Sequence, residues 1–132
     1  MKALQSKITK QLPAGAILTC ADNSGAKKLQ IIAVRGFKGR RRRKPAGGVG
    51  SLVICRVERG NEKVRHEIFK AVIIRQKKEY RRPNGMRIAF EDNAAVVVGD
   101  KFETKGTLIK GPVAREAVDR FPLIGKISSI VV

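Results

Sequence analysis

The sequence predicts an all-β fold: a small closed barrel of five to six short strands, with a projecting β ribbon and a short helical C-terminal region. Three observations point there. Short apolar or alternating runs recur along the chain, separated by turn residues and with little helical periodicity between them. With this much loop in 132 residues, the core is sized for one closed sheet, and closure removes exposed strand edges. Between the apolar runs Ala71–Ile74 and Ala94–Val98 lies a basic segment interrupted by Pro83-Asn84-Gly85. Proline cannot sit in a central ladder and Asn-Gly tolerates positive φ, so this segment folds back as a hairpin.

The elements follow in order. Residues 1–14 are a polar, basic arm; Ile8 and Leu12 offer one weak helical face, too short to fold alone, so the arm is expected to order against a partner. Ala16–Ala21 reads as the first strand and ends at the turn Asp22-Asn23-Ser24-Gly25. Lys27–Arg35 is the second, with Leu29, Ile31 and Ala33 on one face and Gln30, Ile32 and Val34 on the other. Both faces are largely apolar, so the outer one needs a cover, for which the C-terminal tail is the candidate.

Residues 36–50, GFKGRRRRKPAGGVG, hold five consecutive cations and no apolar periodicity; they read as a basic loop that takes shape against phosphates. Ser51–Val57 is the third strand, with Val53, Cys55 and Val57 inward and Arg56 outward. A loop over Glu58–His66 leads to a fourth strand at about Glu67–Gln76. That strand runs into the ribbon, residues 76–90, which returns along Arg87–Phe90, and Ala94–Val98 completes the sheet. Thr107–Lys110 adds a short edge strand. In the segment 112–132, Val113, Ala117 and Phe121 recur at i, i+4, i+8, the mark of a short helix, and Pro122 stops it or begins the next element. The whole of 1–132 reads as one domain.

Charge defines the partner. Lys and Arg number 29 against 11 Asp and Glu, a net charge of +18 that opposes compaction and favours a polyanion. An anionic membrane is the rival, but no apolar run is long enough to span one and no basic helix carries a greasy face. Five Phe, one Tyr and no Trp argue against a domain built on base stacking, and favour contact with phosphates and shape. Cys20 and Cys55 sit inside apolar runs and read as buried thiols, with no spacing that supports a disulfide or metal cluster. His66 reads as an exposed loop residue. Met1–Pro13 lacks a secretory stretch, so residence in the cytoplasm is the default.

No catalytic constellation is visible. There is no G-x-x-x-x-G-K-[ST], and no Ser, His and acid set stands out. The glycines of 36–50 lead into a strand, so a helix N-terminus for phosphate is missing. No enzyme activity, cofactor, metal or small-molecule substrate is expected. Glu91-Asp92, a rare acidic pair, reads as a brace for neighbouring arginines.

Three stretches, ADNSGAKKLQIIAV (21–34), KAVIIRQKKEYRRPNGMRIAFEDNAAVVV (70–98) and KGTLIKGPVARE (105–116), resemble the family of the fourteenth protein of the large ribosomal subunit over nearly the whole chain. The lead-in and the enlarged basic loop are similar to its archaeal and eukaryotic branch, the archaeal above all. The resemblance implies a closed five-stranded barrel with a β ribbon and a small helical C-terminal region. It also implies a place on the intersubunit face, binding large-subunit rRNA, contacting neighbouring large-subunit proteins and bridging to small-subunit rRNA. Factors that keep free large subunits from joining small ones dock near the family's C-terminal region. Carried onto this chain, that makes Arg115, Glu116, Val118 and Asp119 candidates for protein docking.

For rRNA the candidates are Lys27, Lys28, Arg35, Lys38, Arg40, Arg41, Arg42, Arg43, Lys44, Arg75, Lys77, Lys78, Arg81, Arg82 and Arg87. Arginine's planar fork suits phosphate oxygens, and A-form RNA invites recognition by backbone and shape. The competing class is a free-standing basic protein acting on duplex backbone, which would bind generic duplex as well as rRNA.

Overall fold

The structure, a computed structural model, describes residues 1–132. Its strands are β1 (Leu12–Pro13), β2 (Ile17–Cys20), β3 (Ala26–Val34), β4 (Ala46–Gly47), β5 (Leu52–Gly60), β6 (Ile68–Arg75), β7 (Tyr80–Arg81), β8 (Arg87–Ile88), β9 (Ala94–Val98), β10 (Ile109–Val113) and β11 (Ser128–Val131). Two short helices, α1 (Arg115–Arg120) and α2 (Pro122–Ile127), precede β11. Strands β2-β3-β5-β6-β9 close into a barrel, as the strand pattern predicts, and the count of five is the one that the family resemblance implies. All its pairings are antiparallel except β2 with β9.

Two apolar cores share the walls of this barrel. The inner one gathers Leu18, Leu29, Ile31, Val53, Cys55, Val57, Ala71, Ile73, Ala95 and Val97. The inward set expected of the third strand is thus in place, although β5 runs three residues further, to Gly60. The outer core lies against the other face of β6 and β9, where Val72, Ile74, Ala94, Val96 and Val98 meet Ile109, Val113, Ala117, Phe121 and Ile124. Successive strand residues point to opposite faces, so an unbroken buried run such as Ala94–Val98 requires both faces covered.

That requirement corrects the expected role of the C-terminal tail. It covers β6 and β9, not β3, whose outer face carries Lys28 and Gln30 and leaves Ile32 47% exposed. The tail itself is only partly helical. Val113, Ala117 and Phe121 are all buried, but only Ala117 lies in α1: Val113 ends β10 and Phe121 follows the helix, so the expected helix over 113–121 shortens to 115–120. Pro122, with its fixed φ and missing N–H, opens α2. The chain then ends as β11, parallel to β10. The edge strand expected at Thr107–Lys110 begins later, at Ile109, and pairs with this tail.

The N-terminal arm differs too. It orders on the chain's own body, because Ile8 and Leu12 each find a core to enter. β1 pairs with β4, and the Lys2 N–H donates to the Arg120 carbonyl. Only the first half of the basic loop is therefore free. Residues 36–44 are exposed or half-buried without a regular element, whereas Gly47–Gly50 is buried, with Val49 in the outer core. Both thiols are free and buried, and burial pushes each up to about 12. His66 is exposed in its loop, at φ +65°.

Candidate nucleic-acid interface

β3 and β6 both pair antiparallel with β5, so they run in the same direction. The basic loop leaves the end of β3 and the ribbon leaves the end of β6, which places both projections at one end of the barrel. Their roots are tied by Gln76, a fully buried polar side chain. Its Oε1 accepts from the Val49 N–H at 3.0 Å, and its Nε2 donates to the Thr9 carbonyl at 3.1 Å and to the Lys78 carbonyl at 2.9 Å. One amide thereby fixes the loop, the arm and the ribbon to each other. A buried amide with three partners is satisfied, whereas losing any one would leave a costly orphan.

Around that end stand Lys38, Arg40, Arg41, Arg42, Arg43 and Lys44 from the loop and Lys77, Lys78, Arg81 and Arg87 from the ribbon, all exposed. Lys10 of the arm, absent from the sequence-based candidates, joins them through the pairing of β1 with β4. Arg35 starts the loop, its guanidinium 5.9 Å from the centroid of the Phe102 ring, a cation–π contact. Of these side chains Arg87 alone has an acidic partner, Glu79 at 3.5 Å across an exposed gap. Lys27 and Lys28 lie elsewhere. Seven residues of extended strand separate Lys28 from Arg35, about 24 Å at the usual rise. The expected set is therefore not one patch: Lys28 sits opposite Arg59 at the far end, its Nζ 3.3 Å from Thr19 Oγ1.

Two expected RNA contacts are used inside the chain. Arg75 has a side chain only 7% exposed. Its Nε and Nη2 bind both carboxylate oxygens of Asp92, at 2.8 and 3.2 Å, and Nη1 donates to the Lys110 and Pro112 carbonyls at 3.0 and 2.8 Å. Gly111, at φ +80°, leaves the room: a Cβ there would stand 2.8 Å from Arg75 Nη1. Asp92 is thus the arginine brace expected of the acidic pair, and four of the five N–H donors of Arg75 are engaged within the chain. Arg82 binds Glu116 in the same bidentate way, at 2.7 and 3.2 Å, and donates to the Val132 carbonyl at 2.6 Å.

The Arg82 pair fastens the ribbon to α1. The ribbon is short, two residue pairs closed by the Arg82 N–H on the Met86 carbonyl, with Gly85 at φ +88° in the turn. Tyr80 is fully buried at its base, and its hydroxyl donates to Glu116 Oε2 at 2.8 Å. Burial raises the Tyr80 hydroxyl, and the Glu116 carboxylate adds to that. Burial alone would raise the Glu116 carboxyl as well, but hydrogen bonds from Arg82, its own backbone and Tyr80 hold it below the usual glutamate range. Among the docking candidates, Glu116 therefore faces inward and Val118 is half-buried, while Arg115 and Asp119 stand exposed on α1.

A pH dependence follows. A lowered carboxyl contributes stability that is present above its unfolded value, near 4.5, and lost as pH falls through its folded value. Glu116→Gln should cost about 1–2 kcal/mol at neutral pH. Between neutrality and pH 3 it should flatten the fall in urea midpoint relative to the native chain. Parallel acid limbs would show that the carboxylate carries no such charge-dependent contact.

No helix of the structure is long and apolar enough to cross a membrane. Residues 11–132 match the model of a family described as ribosomal protein L14p/L23e. The chain is 52% identical over 132 residues, the full length of both chains, to the large ribosomal subunit protein uL14 of Methanoregula boonei. Proteins of the same name from Methanococcus maripaludis and Methanococcus vannielii are 51% and 49% identical over 131 residues, 99% of each chain. These relatives are archaeal, in keeping with the branch that the lead-in and the enlarged loop resemble. The match takes in the barrel, both basic projections and the C-terminal cover, and the chain belongs to the ribosomal protein L14p/L23e family, structural constituents of the large ribosomal subunit.

Proposed function

We propose that this chain binds large-subunit rRNA through the basic end of its barrel and contributes from there to bridges with small-subunit rRNA. The observation that carries the reading is the loop Arg40–Lys44: five consecutive cations, every one exposed and none in an ion pair. Unneutralised charge of that density opposes its own ordering, and phosphates supply the missing counterions. Gln76 and the closed barrel hold the loop and ribbon in fixed register, which suits recognition of a folded RNA by backbone and shape. The work is geometric and electrostatic, and calls for no catalytic group.

Neighbouring large-subunit proteins would meet the flanks of the same surface. A factor that prevents subunit joining would read α1 by Arg115 and Asp119, while Glu116 and the Arg82 beneath it hold that helix in place. The test is sedimentation of a lysate after a high-salt wash, with mass spectrometry of the subunit fractions. The protein should remain with the large subunit. Recovery in light fractions or on chromosomal DNA would instead show a freely exchanging nucleic-acid binder.

A further inference from the structure

We propose that the cleft between the basic loop and the N-terminal arm takes one unpaired nucleotide of RNA, its phosphates held by Lys10, Lys38, Arg43 and Lys44 and its base stacked on Phe37. The inference rests on the rRNA-binding reading above and adds what kind of RNA feature that end of the barrel selects. The cleft is open to solvent, offers about 510 Å³, and is lined by those four cations, Phe37 and two small residues, with no carboxylate among them. That volume lies in the range of sites that hold small organic ligands.

Phe37 is the aromatic without a structural task. Tyr80 and Phe121 belong to the outer core, Phe90 and Phe102 pack against it, and Phe69 packs against the inner one. Phe37 is in neither, yet it is half-buried at the wall of a cationic cleft. The neighbouring residue that would crowd it is a glycine: a Cβ at Gly39 would come within 3.3 Å of Phe37 Cε1.

The cations converge there by construction. Lys10 is delivered by the pairing of β1 with β4 and by the Ala14 N–H on the Pro45 carbonyl at 3.1 Å. A turn closed by the Arg43 N–H on the Arg40 carbonyl, with Arg42 at φ +65°, divides the run of five. Arg43 and Lys44 line the cleft, and residues 40–42 do not. A paired base in an A-form stem hides its faces in the stack, so an aromatic beside a phosphate site selects a nucleotide that is bulged or looped out.

The test uses the full-length chain and two RNA hairpins with the same stem, one fully paired and one carrying a single 2-aminopurine bulge. The native protein should bind the bulged hairpin more tightly and quench its fluorescence. Phe37→Leu should weaken binding to the bulged hairpin by about 5- to 150-fold, the range for losing one stacked base, and leave the paired hairpin unchanged. Phe37→Tyr should keep both affinity and quenching, and neither variant should move the urea midpoint. Equal binding of both hairpins by native and Phe37→Leu proteins, without quenching, would overturn the stacking site while leaving the rRNA-binding reading intact. Failure of the native protein to bind either hairpin or rRNA would overturn both.

Discussion

An Arg75→Ala chain is expected to lose about 3 kcal/mol of stability, read as a lower urea midpoint, because four charge-assisted hydrogen bonds disappear together. The Lys110 and Pro112 carbonyls lose their donor where β10 crosses the end of β6, and Asp92 keeps its charge without a partner. Asp92 is 39% exposed and regains some water, which keeps the loss below that of a fully enclosed pair. Arg75→Lys separates structure from RNA binding. It preserves the charge that a phosphate would feel, but a single ammonium cannot span a carboxylate and two carbonyls. It should still cost about 1–2 kcal/mol, the loss of one or two of these bonds. The salt dependence of rRNA binding should be the same in the folded fraction of both variants. A variant of native stability with a shallower salt slope would put Arg75 in the RNA interface.

Much of the fold is legible in the sequence because turn chemistry and strand patterning both act locally. The turn at Asp22–Gly25, the alternation along β3 and β5, and the unbroken apolar runs of β6 and β9 each say which faces must be covered. They do not say what covers them. Both faces of β3 read as apolar, which points the tail toward that strand. The structure places it on β6 and β9, since five buried residues in a row tolerate water less than one exposed isoleucine.

The site is legible as a kind of surface and less so residue by residue. A run of five arginines and lysines announces an anion wherever it sits. Arg75 and Arg82 look the same in one dimension as Lys77 and Arg81, and only distance along the chain hides their partners: Asp92 stands 17 residues away and Glu116 stands 34. Two further signals lie in the sequence without pointing to their roles until the fold is known. Tyr80 is the one tyrosine of the chain and lies amid cations, as an anchor would. Phe37 is an aromatic with no apolar neighbour on either side. Gln76 carries no such signal, because a glutamine after a strand is ordinary until its three partners are seen.

Replacing Arg40–Lys44 with serines should produce the opposite pattern to Arg75→Ala. The five side chains are exposed and outside both cores, so the urea midpoint should not fall. Relief of local repulsion should, if anything, favour the folded chain. Binding to rRNA should weaken sharply. Each phosphate that the loop no longer neutralises takes about 0.7–0.9 from the slope of log affinity against log salt, with single strands at the lower end and duplex at the upper. Extrapolated from about 1 M salt, where counterion release no longer contributes, about three such phosphates correspond to a drop of at least about 100-fold near 0.1 M. The difference between native and variant chains should shrink steadily as salt rises. Equal slopes for the two chains would mean that the loop meets protein or solvent, and that the ribbon alone carries the RNA. A parallel loss on generic duplex would leave the charge argument standing but remove the preference for folded rRNA. Selectivity would then rest on the fixed spacing of loop and ribbon, and Gln76, which holds their roots together, would be the next residue to replace.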